Sequence, residues 1–377
     1  MSAIAAPVVS DPLSLFRQFE VVEDPRIDRH KRYPLLNILV FTFVSILSDQ
    51  QSWYEIQAFS LENLNWFAQY IDVSSGVPSH DTFRRVFSLL DPVQLEDVIV
   101  TWAEETRVKK GSTQRRVIVL DGKALRGVAW KVNQTQLYIL NAWDATTNTF
   151  LGQMTIDSKT NEITAAPELL NKLNLKGAVV TVDALMTQKA IAEAVIQRAG
   201  DYVMALKGNQ GTLFEDVRLY FTEMQEGMSC ARMIEKNRGR VEIRTCTRAS
   251  ARWLEELEAW KGLKSFFKID SESYYEGKEI EEERYYMTSL DIDAAQLLVI
   301  ARDHWSIENR LHRSLDMHFK EDAAQEHDRN AAANLSILRK VGLSLLKAID
   351  GHKKLKLKMK ECAYSSAFRS RCLLGEF

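Results

Sequence analysis

Two aspartates stand at the ends of apolar, largely β-branched runs: Asp121 closes VIVLD and Asp183 closes VVTVD. A carboxylate in that position is costly to bury unless it is paired or holds a metal ion. One alone serves equally well as a helix N-cap; two in one α/β segment point to metal ligation. A third candidate, Glu308, lies in RDHWSIENRLHRSLDMHFKED. At 100° per residue, His304, Glu308 and His312 fall within about 40° of one line, beside Leu311 and Leu315, with Arg302, Arg310 and Arg313 behind. A carboxylate on the apolar stripe of a helix is delivered to whatever that stripe packs on, here the expected sheet. Three converging carboxylates make a hard oxygen site for Mg²⁺ or Mn²⁺. Two such ions suit in-line phosphoryl transfer. Asp316, Glu321 and Asp322 are rival third ligands, Asp316 foremost. A zinc hydrolase built on His304, Glu308 and His312 is the imidazole alternative, and it leaves both strand aspartates unexplained.

The elements that must carry these residues can be read from the patterning. From Arg115 onward, apolar strands (117–121, 178–184 and the stretch DYVMALKGNQ) alternate with helical segments (ITAAPELLNKL and TQKAIAEAVIQRAG), and QLYILNAWDATTNTFLGQMTID reads as a hairpin. Sheets of this kind place their sites at the carboxyl ends of strands. Residues 216–290 interrupt the alternation with RGRVEIRTCTRA and SYYEGKEIEEERYYMTSL, a β-rich insertion with a helix expected from Arg252 to Trp260. A long helix is expected from Ala294 to Phe319. The first 110 residues read as helical: Pro34 precedes the run LLNILVFTFVSIL, and Ser79 is an N-cap for SHDTFRRVFSLLD, whose Arg84 and Arg85 suit a helix-turn-helix reader of DNA or a plain helical bundle. The division expected is a helical N-terminal domain over 1–110, a core over 111–215 and 291–350, the insertion over 216–290, and a basic tail over 351–377 whose end, after its lysine run, is of low structural content. That tail starts with GHKKLKLKMK, five lysines in ten residues, a phosphate-binding arm or a solvated end.

Composition narrows the classes. The chain has 377 residues, with 49 Lys+Arg against 51 Asp+Glu, a formal charge of −2. Summed over 1–110, 111–214, 215–290 and 291–377, the charge alternates −5, +3, −3 and +3, so the regions are differently employed. Sixteen Gly and seven Pro leave little room for low-complexity linkers. Four cysteines without a C-x-x-C pair support neither a zinc ribbon nor a disulfide framework. The apolar run 35–47 is too short to span a bilayer, and the N-terminus lacks the features of a signal peptide. A soluble, cytoplasmic protein without a membrane partner is expected.

In order and spacing, the DGK strand, the VDA strand, LKGNQ, an inserted β-region and then HWSIEN-LH--LD--F-ED closely resemble the bacterial insertion-sequence DDE transposases of the H-repeat-associated group. The resemblance extends to DPRIDRHKRYPLLNIL and PSHDTFRRVF in the N-terminal region. It implies an α/β fold with a ribonuclease-H-like mixed sheet flanked by helices. It also implies Asp121, Asp183 and Glu308 as the catalytic, metal-holding triad, Mg²⁺ or Mn²⁺ as a pair of ions, and a homodimer assembled on double-stranded DNA, both the terminal inverted repeats and the target. The setting implied is the bacterial nucleoid. The wider group often carries Tyr, Arg and Lys seven before, four before and seven after the glutamate; here Ala301, His304 and Leu315 stand there. Asn309, His312 or Asp316 are the candidates for the missing polar contacts.

The remaining basic residues take meaning from that reading. Strand alternation puts Arg238, Arg240, Arg244 and Arg248 on one face, spaced to follow phosphates, or else solvated and balanced by the acidic EIEEER. Lys123, Arg126, Lys207 and Asn209 follow strand ends closely enough to touch a scissile phosphate or the strand end, or else are ordinary surface residues. Two rival functions remain: a catalytically inactive DNA-binding descendant of a transposase, and a metal-dependent phosphohydrolase of small molecules, which would leave the arginine-faced insertion without a role.

Overall fold

The computed structural model describes residues 13–110, 115–127, 136–156, 161–224, 227–237, 240–275, 278–349 and 353–374. Six helices come first: α1 (Leu13–Glu20), α2 (Leu35–Leu47), α3 (Trp53–Glu62), α4 (Leu64–Phe67), α5 (His80–Leu89) and α6 (Pro92–Lys110). Then follow β1 (Val117–Leu125), β2 (Leu137–Asp144), β3 (Thr149–Ile156), α7 (Glu162–Lys172), β4 (Val179–Val182), α8 (Lys189–Gln197), β5 (Asp201–Leu206) and α9 (Thr212–Glu223). The chain continues through β6 (Ser229–Asn237), β7 (Arg240–Ser250), β8 (Ser265–Tyr275), β9 (Lys278–Thr288) and α10 (Ala294–Ile307). A π-helical segment Glu308–His312 leads into α11 (Arg313–His318), α12 (Arg329–Ala348), α13 (Leu355–Tyr364) and α14 (Ser366–Leu374). The mixed α/β class that the sequence implies is met.

The chain divides into two compact units, one of residues 1–114, 122–161 and 308–377 and another of 115–121 and 162–307. β1 passes from the second into the first between Asp121 and Gly122.

The first unit is organised around two apolar helices. Twelve of the thirteen residues of α2 are buried, which makes the apolar run a core helix; no described helix is long and apolar enough to cross a membrane. α12 is buried along most of its length and packs against α2, α5, α6 and β3. Its Asn334 donates to the carbonyls of Phe87 and Leu90, satisfying acceptors that the end of α5 leaves open. Ser79 caps α5 as expected, its hydroxyl accepting from the Thr82 amide. β2 and β3 form the expected hairpin, with the Asp144 carboxylate accepting from the Thr146 and Thr147 amides in the turn.

The expected low-structure tail is instead helical. Lys358 of the lysine run is buried and donates to the carbonyls of Leu346 (3.1 Å) and Ile349 (2.6 Å), so this cation closes the C-terminal end of α12. Met359, Cys362 and Phe368 are buried beside it.

In the second unit the strand order is β1-β4-β5-β9-β8-β7-β6. β1, β4 and β5 are parallel; β9 pairs antiparallel with β5, and β8, β7 and β6 continue as an antiparallel meander. The inserted region therefore extends the sheet of its own unit through β9. α8 packs on β5, and α10 packs on β4, β6, β7 and β8.

Three local expectations are corrected. β1 does not stop at Asp121 but runs on to Leu125. No α-helix forms at Arg252–Trp260; only a 3₁₀ turn, Leu257–Ala259, occurs, because Trp253 stacks on Tyr220 at 4.5 Å and leans on Phe266, holding the segment as a connection over its own sheet. The single helix expected over Ala294–Phe319 is broken by the π-helical segment at Glu308.

Candidate active site

In the second unit, β1 and β4 run parallel with Val117 opposite Val179, Ile118 opposite Val180 and Val119 opposite Thr181. Continued by two residues, that register sets Asp121 opposite Asp183. Register partners on parallel strands project from the same face, and neighbouring strands lie about 4.8 Å apart. Both aspartates are partly accessible. The loop after Asp183 is held by its own hydrogen bonds. The Asp183 carboxylate accepts from the Met186 amide (3.0 Å), and the Thr187 hydroxyl bridges the Asp183 and Ala205 carbonyls, tying the end of β4 to the end of β5. Asn209, a candidate for phosphate contact, donates to the Ala184 carbonyl (2.6 Å) and so braces this same loop, while Lys207 beside it is exposed.

α10 is fastened to β4 through His304, whose Nδ1 lies 3.0 Å from the Thr181 hydroxyl. Burial pushes the His304 imidazole down to about 4, opposed by Asp183 and reinforced by Arg284, so the ring is neutral at physiological pH. Thr181 lies two residues before Asp183 and shares its face of β4. The chain reaches Glu308 directly after α10.

In the first unit, Glu308 opens the π-helical segment and is well exposed, with a side-chain exposure of 69 %. One of its oxygens lies 3.1 Å from His312 Nδ1. That hydrogen bond, helped by the charge of Lys123 and opposed by burial, holds the Glu308 carboxyl below the usual glutamate range. Leu311, His312 and Leu315 are buried. The expected single stripe of Glu308, Leu311 and Leu315 is therefore not realised: a π turn takes more residues than an α turn and shifts the phase, so the leucines turn inward while Glu308 stays outside.

Lys123, Arg126 and the rival acids also fall in this unit. Lys123 is buried and reaches Asp316, Glu321 (3.1 Å) and Asp322 (3.8 Å). Burial works against its charge, but the carboxylates outweigh burial and its pKa is raised. Lys123 is thus the centre of an ion cluster rather than a surface contact, and Asp316, Glu321 and Asp322 are engaged with it. Arg126 remains exposed, 3.8 Å from Asp322. Gly127 ends this stretch where only glycine fits, since a Cβ there would stand 2.3 Å from the Ala324 carbonyl oxygen. Arg84 and Arg85 are exposed on α5, and Asn309 is exposed within the π segment.

The arginine face of the insertion is differently placed from expectation. Arg238 lies outside the described residues. Arg240 pairs with Glu242 (2.9 Å), Arg244 with Glu235 (2.7 Å) and Glu242, and Arg248 with Asp291. Glu235 is the register partner of Glu242 and also meets Arg302 of α10 at 2.5 Å. The arginines therefore share the side that α10 covers, and their charge is balanced locally. Strand alternation gives the common face correctly but carries no information on which face a helix will occupy. Sequence reasoning also missed the link from His304 to Thr181; the only signal for it is a histidine where the wider group has arginine.

Residues 16–103 match the family model described as DDE_Tnp_1-associated, and residues 112–345 match that described as transposase DDE domain. The protein YbfL of Escherichia coli K12 is 34% identical over 377 residues, covering 96% of this chain and 98% of YbfL. The H repeat-associated protein YhhI of the same strain is 32% identical over 376 residues, covering 96% of this chain and 98% of its own. Among solved structures, a piggyBac transposase synaptic complex with hairpin DNA aligns with a TM-score of 0.44 at 13% identity, over 97% of this chain and 82% of that one.

Proposed function

This chain belongs to the transposase DDE domain family, and from that premise we propose that it cuts the ends of an insertion sequence and joins the freed 3′-hydroxyls to target DNA. Asp121, Asp183 and Glu308 are the carboxylates assigned to the reaction. The observation that supports this reading is the parallel register of β1 and β4, Val119 opposite Thr181, which continued by two residues brings Asp121 and Asp183 to adjacent strand ends. The donor set is all carboxylate oxygen, and Glu308 is kept ionised by His312, which fits hard divalent cations. A pair of Mg²⁺ or Mn²⁺ ions held by these three residues would activate the attacking oxygen and stabilise the leaving one.

The other side chains prepare the three. Neutral His304 and Thr181 hold α10 on β4. His312 orients the Glu308 carboxylate. The cluster of Lys123 with Asp316, Glu321 and Asp322 anchors the chain just after Asp121 to the segment after α11.

For DNA contact, exposed Arg84, Arg85, Arg126 and Lys207 come first. Arg240, Arg244 and Arg248 would have to exchange carboxylates for phosphates. We assign end recognition to the helical N-terminal domain, residues 1–110, and the reaction to a core of 111–215 and 291–350, with 216–290 and 351–377 as further DNA-facing parts. A homodimer on paired ends, acting on the bacterial nucleoid, completes the proposal.

The test is cleavage of double-stranded DNA carrying the element's ends, with Mg²⁺. Asp121→Asn, Asp183→Asn and Glu308→Gln should each lose more than about a hundredfold in rate, beyond the 10- to 100-fold typical of disturbing an outer contact of a metal site. Normal cutting by Glu308→Gln together with failure of Asp316→Asn would move the third ligand to Asp316. Binding of the ends without any cleavage by wild type would favour the inactive DNA-binding descendant.

A further inference from the structure

The first unit holds a cavity of about 330 Å³ formed by the start of α3, by α5, by the turn before α12 and by α12 itself. Arg339 of α12 reaches it with 3 % of the residue exposed, and its Nε has no hydrogen-bond partner among the described residues. Burial lowers the Arg339 pKa against the pull of Glu321 and Glu326, so this is a guanidinium kept out of water and short of acceptors. Gln51 lines the same space, and both its amide nitrogen and its amide oxygen lie out of solvent with no partner among the described residues. Glu326, 8 % exposed, supplies a carboxylate whose oxygens each accept one bond, from Trp53 Nε1 (2.8 Å) and from the Asp328 amide (3.0 Å), leaving further lone pairs. Trp53 and Tyr54 give the cavity aromatic surface, and Arg84 stands on its lining from α5.

A ligand that satisfies these groups must be planar enough to lie against the aromatic rings, must offer acceptors to a guanidinium and must offer donors to a carboxylate. Guanine carries a pair of adjacent acceptors, O6 and N7, that an arginine fork can take together; cytosine also offers such a pair, O2 and N3, but of the four bases guanine alone combines an acceptor pair with a second edge of adjacent donors. It also carries adjacent N1–H and N2–H₂ donors for Glu326 and the Gln51 oxygen. Thymine and cytosine offer shorter edges, and adenine lacks an acceptor pair for arginine. We propose that this cavity binds an unpaired guanine, with Arg339 on its O6 and N7 edge, Glu326 and Gln51 on its donor edge, and Arg84 on the attached phosphate.

The source of the base is either a free guanine nucleotide or a guanine unstacked from a DNA strand. The second source rests on the transposition reading above; the pocket chemistry does not. The experiment measures equilibrium binding of dGMP, dAMP, dCMP and dTMP to the full chain. In parallel, it measures binding of hairpin oligonucleotides carrying one unpaired G, A, C or T. Guanine should be preferred by about tenfold or more, the discrimination usual for one good bidentate pair. A preference seen with nucleotides alone assigns the free source, and one seen in the hairpins assigns the DNA source. Gln51→Leu should erase most of the preference while leaving the thermal midpoint and the binding of fully paired DNA close to wild type; Glu326→Gln should erase it too, with a lower thermal midpoint because the charge facing Arg339 is lost. Arg339→Gln should abolish it, and if that variant does not fold the other two decide. Equal binding of all four bases, or of none, overturns the pocket assignment even where DNA ends are cut. Guanine preference without end cleavage would overturn the transposition reading and leave the pocket standing.

Discussion

Lys123 was legible as a basic residue next to a catalytic candidate, yet its role depends on three acids about two hundred positions away in the chain. Asp316, Glu321 and Asp322 converge on its ammonium, and Glu321 is almost wholly buried. Removing the cation leaves these carboxylates uncompensated, a change that costs about 3–5 kcal/mol for a buried pair. Lys123→Met should therefore lower the unfolding free energy by that order in a urea titration; a loss under about 1 kcal/mol would mark the cluster as solvent-screened. His304 gives a pH signature. Its folded pKa of about 4 lies below the unfolded value of 6.5, so between those limits the unfolded chain binds more protons and stability falls as pH falls. Below about pH 4 that loss is complete, at up to about 3 kcal/mol. Unfolding midpoints measured from pH 7 to pH 4 should show a shallower acid decline for His304→Gln, which keeps a polar group for Thr181 without the titration. An unchanged slope would assign the acid sensitivity to other groups.

At the level of elements, periodicity identified most strands and helices, and failed where packing overrides a regular pattern. The helix expected to run unbroken from Ala294 to Phe319 obeys the right apolar spacing in each half, but the halves are out of phase by the π segment Glu308–His312. Such insertions cost hydrogen-bond quality and persist where a side chain must be re-aimed. Deleting Asn309, which is exposed, should restore α-helical phase. The expected outcome is near-native helix content by circular dichroism with cleavage activity lost, because Glu308 turns relative to Leu311 and Leu315. Retained activity would show that the π turn has no part in setting Glu308. The DGKALRG stretch ends at Gly127, against the Ala324 carbonyl. Gly127→Ala must push that turn away and should cost about 1–3 kcal/mol, read as a lower thermal midpoint. The lysine run shows the opposite failure: its charges read as solvated, but Lys358 is buried on carbonyls at and beyond the end of α12. A cation at a helix C-terminus satisfies orphan acceptors, and composition alone does not distinguish that from a solvated tail.

Over the whole chain, a formal charge of −2 conceals basic residues of two kinds, those paired with neighbouring acids and those that stand exposed. Arg240, Arg244 and Arg248 are of the first kind, and Arg84 and Arg85 of the second. DNA affinity measured across salt concentration should separate them. The double change of Arg84 and Arg85 to Ala should flatten the logarithmic slope by roughly one to two units. The double change of Arg240 and Arg244 to Ala should flatten it less; the reverse ranking would return the phosphate contacts to the insertion. Sequence by itself determined the family and the α/β class, and it singled out the two strand aspartates and the glutamate of the IEN motif as candidates, because these are written locally in residue type and spacing. Only the tertiary structure decided the parallel register of β1 with β4, the phase break at Glu308, the enclosure of Lys123 and the covering of the arginine face by α10. Strand register, helix phase and the choice of buried face arise from packing between residues far apart in the chain, and no local pattern encodes which distant partner a side chain will meet.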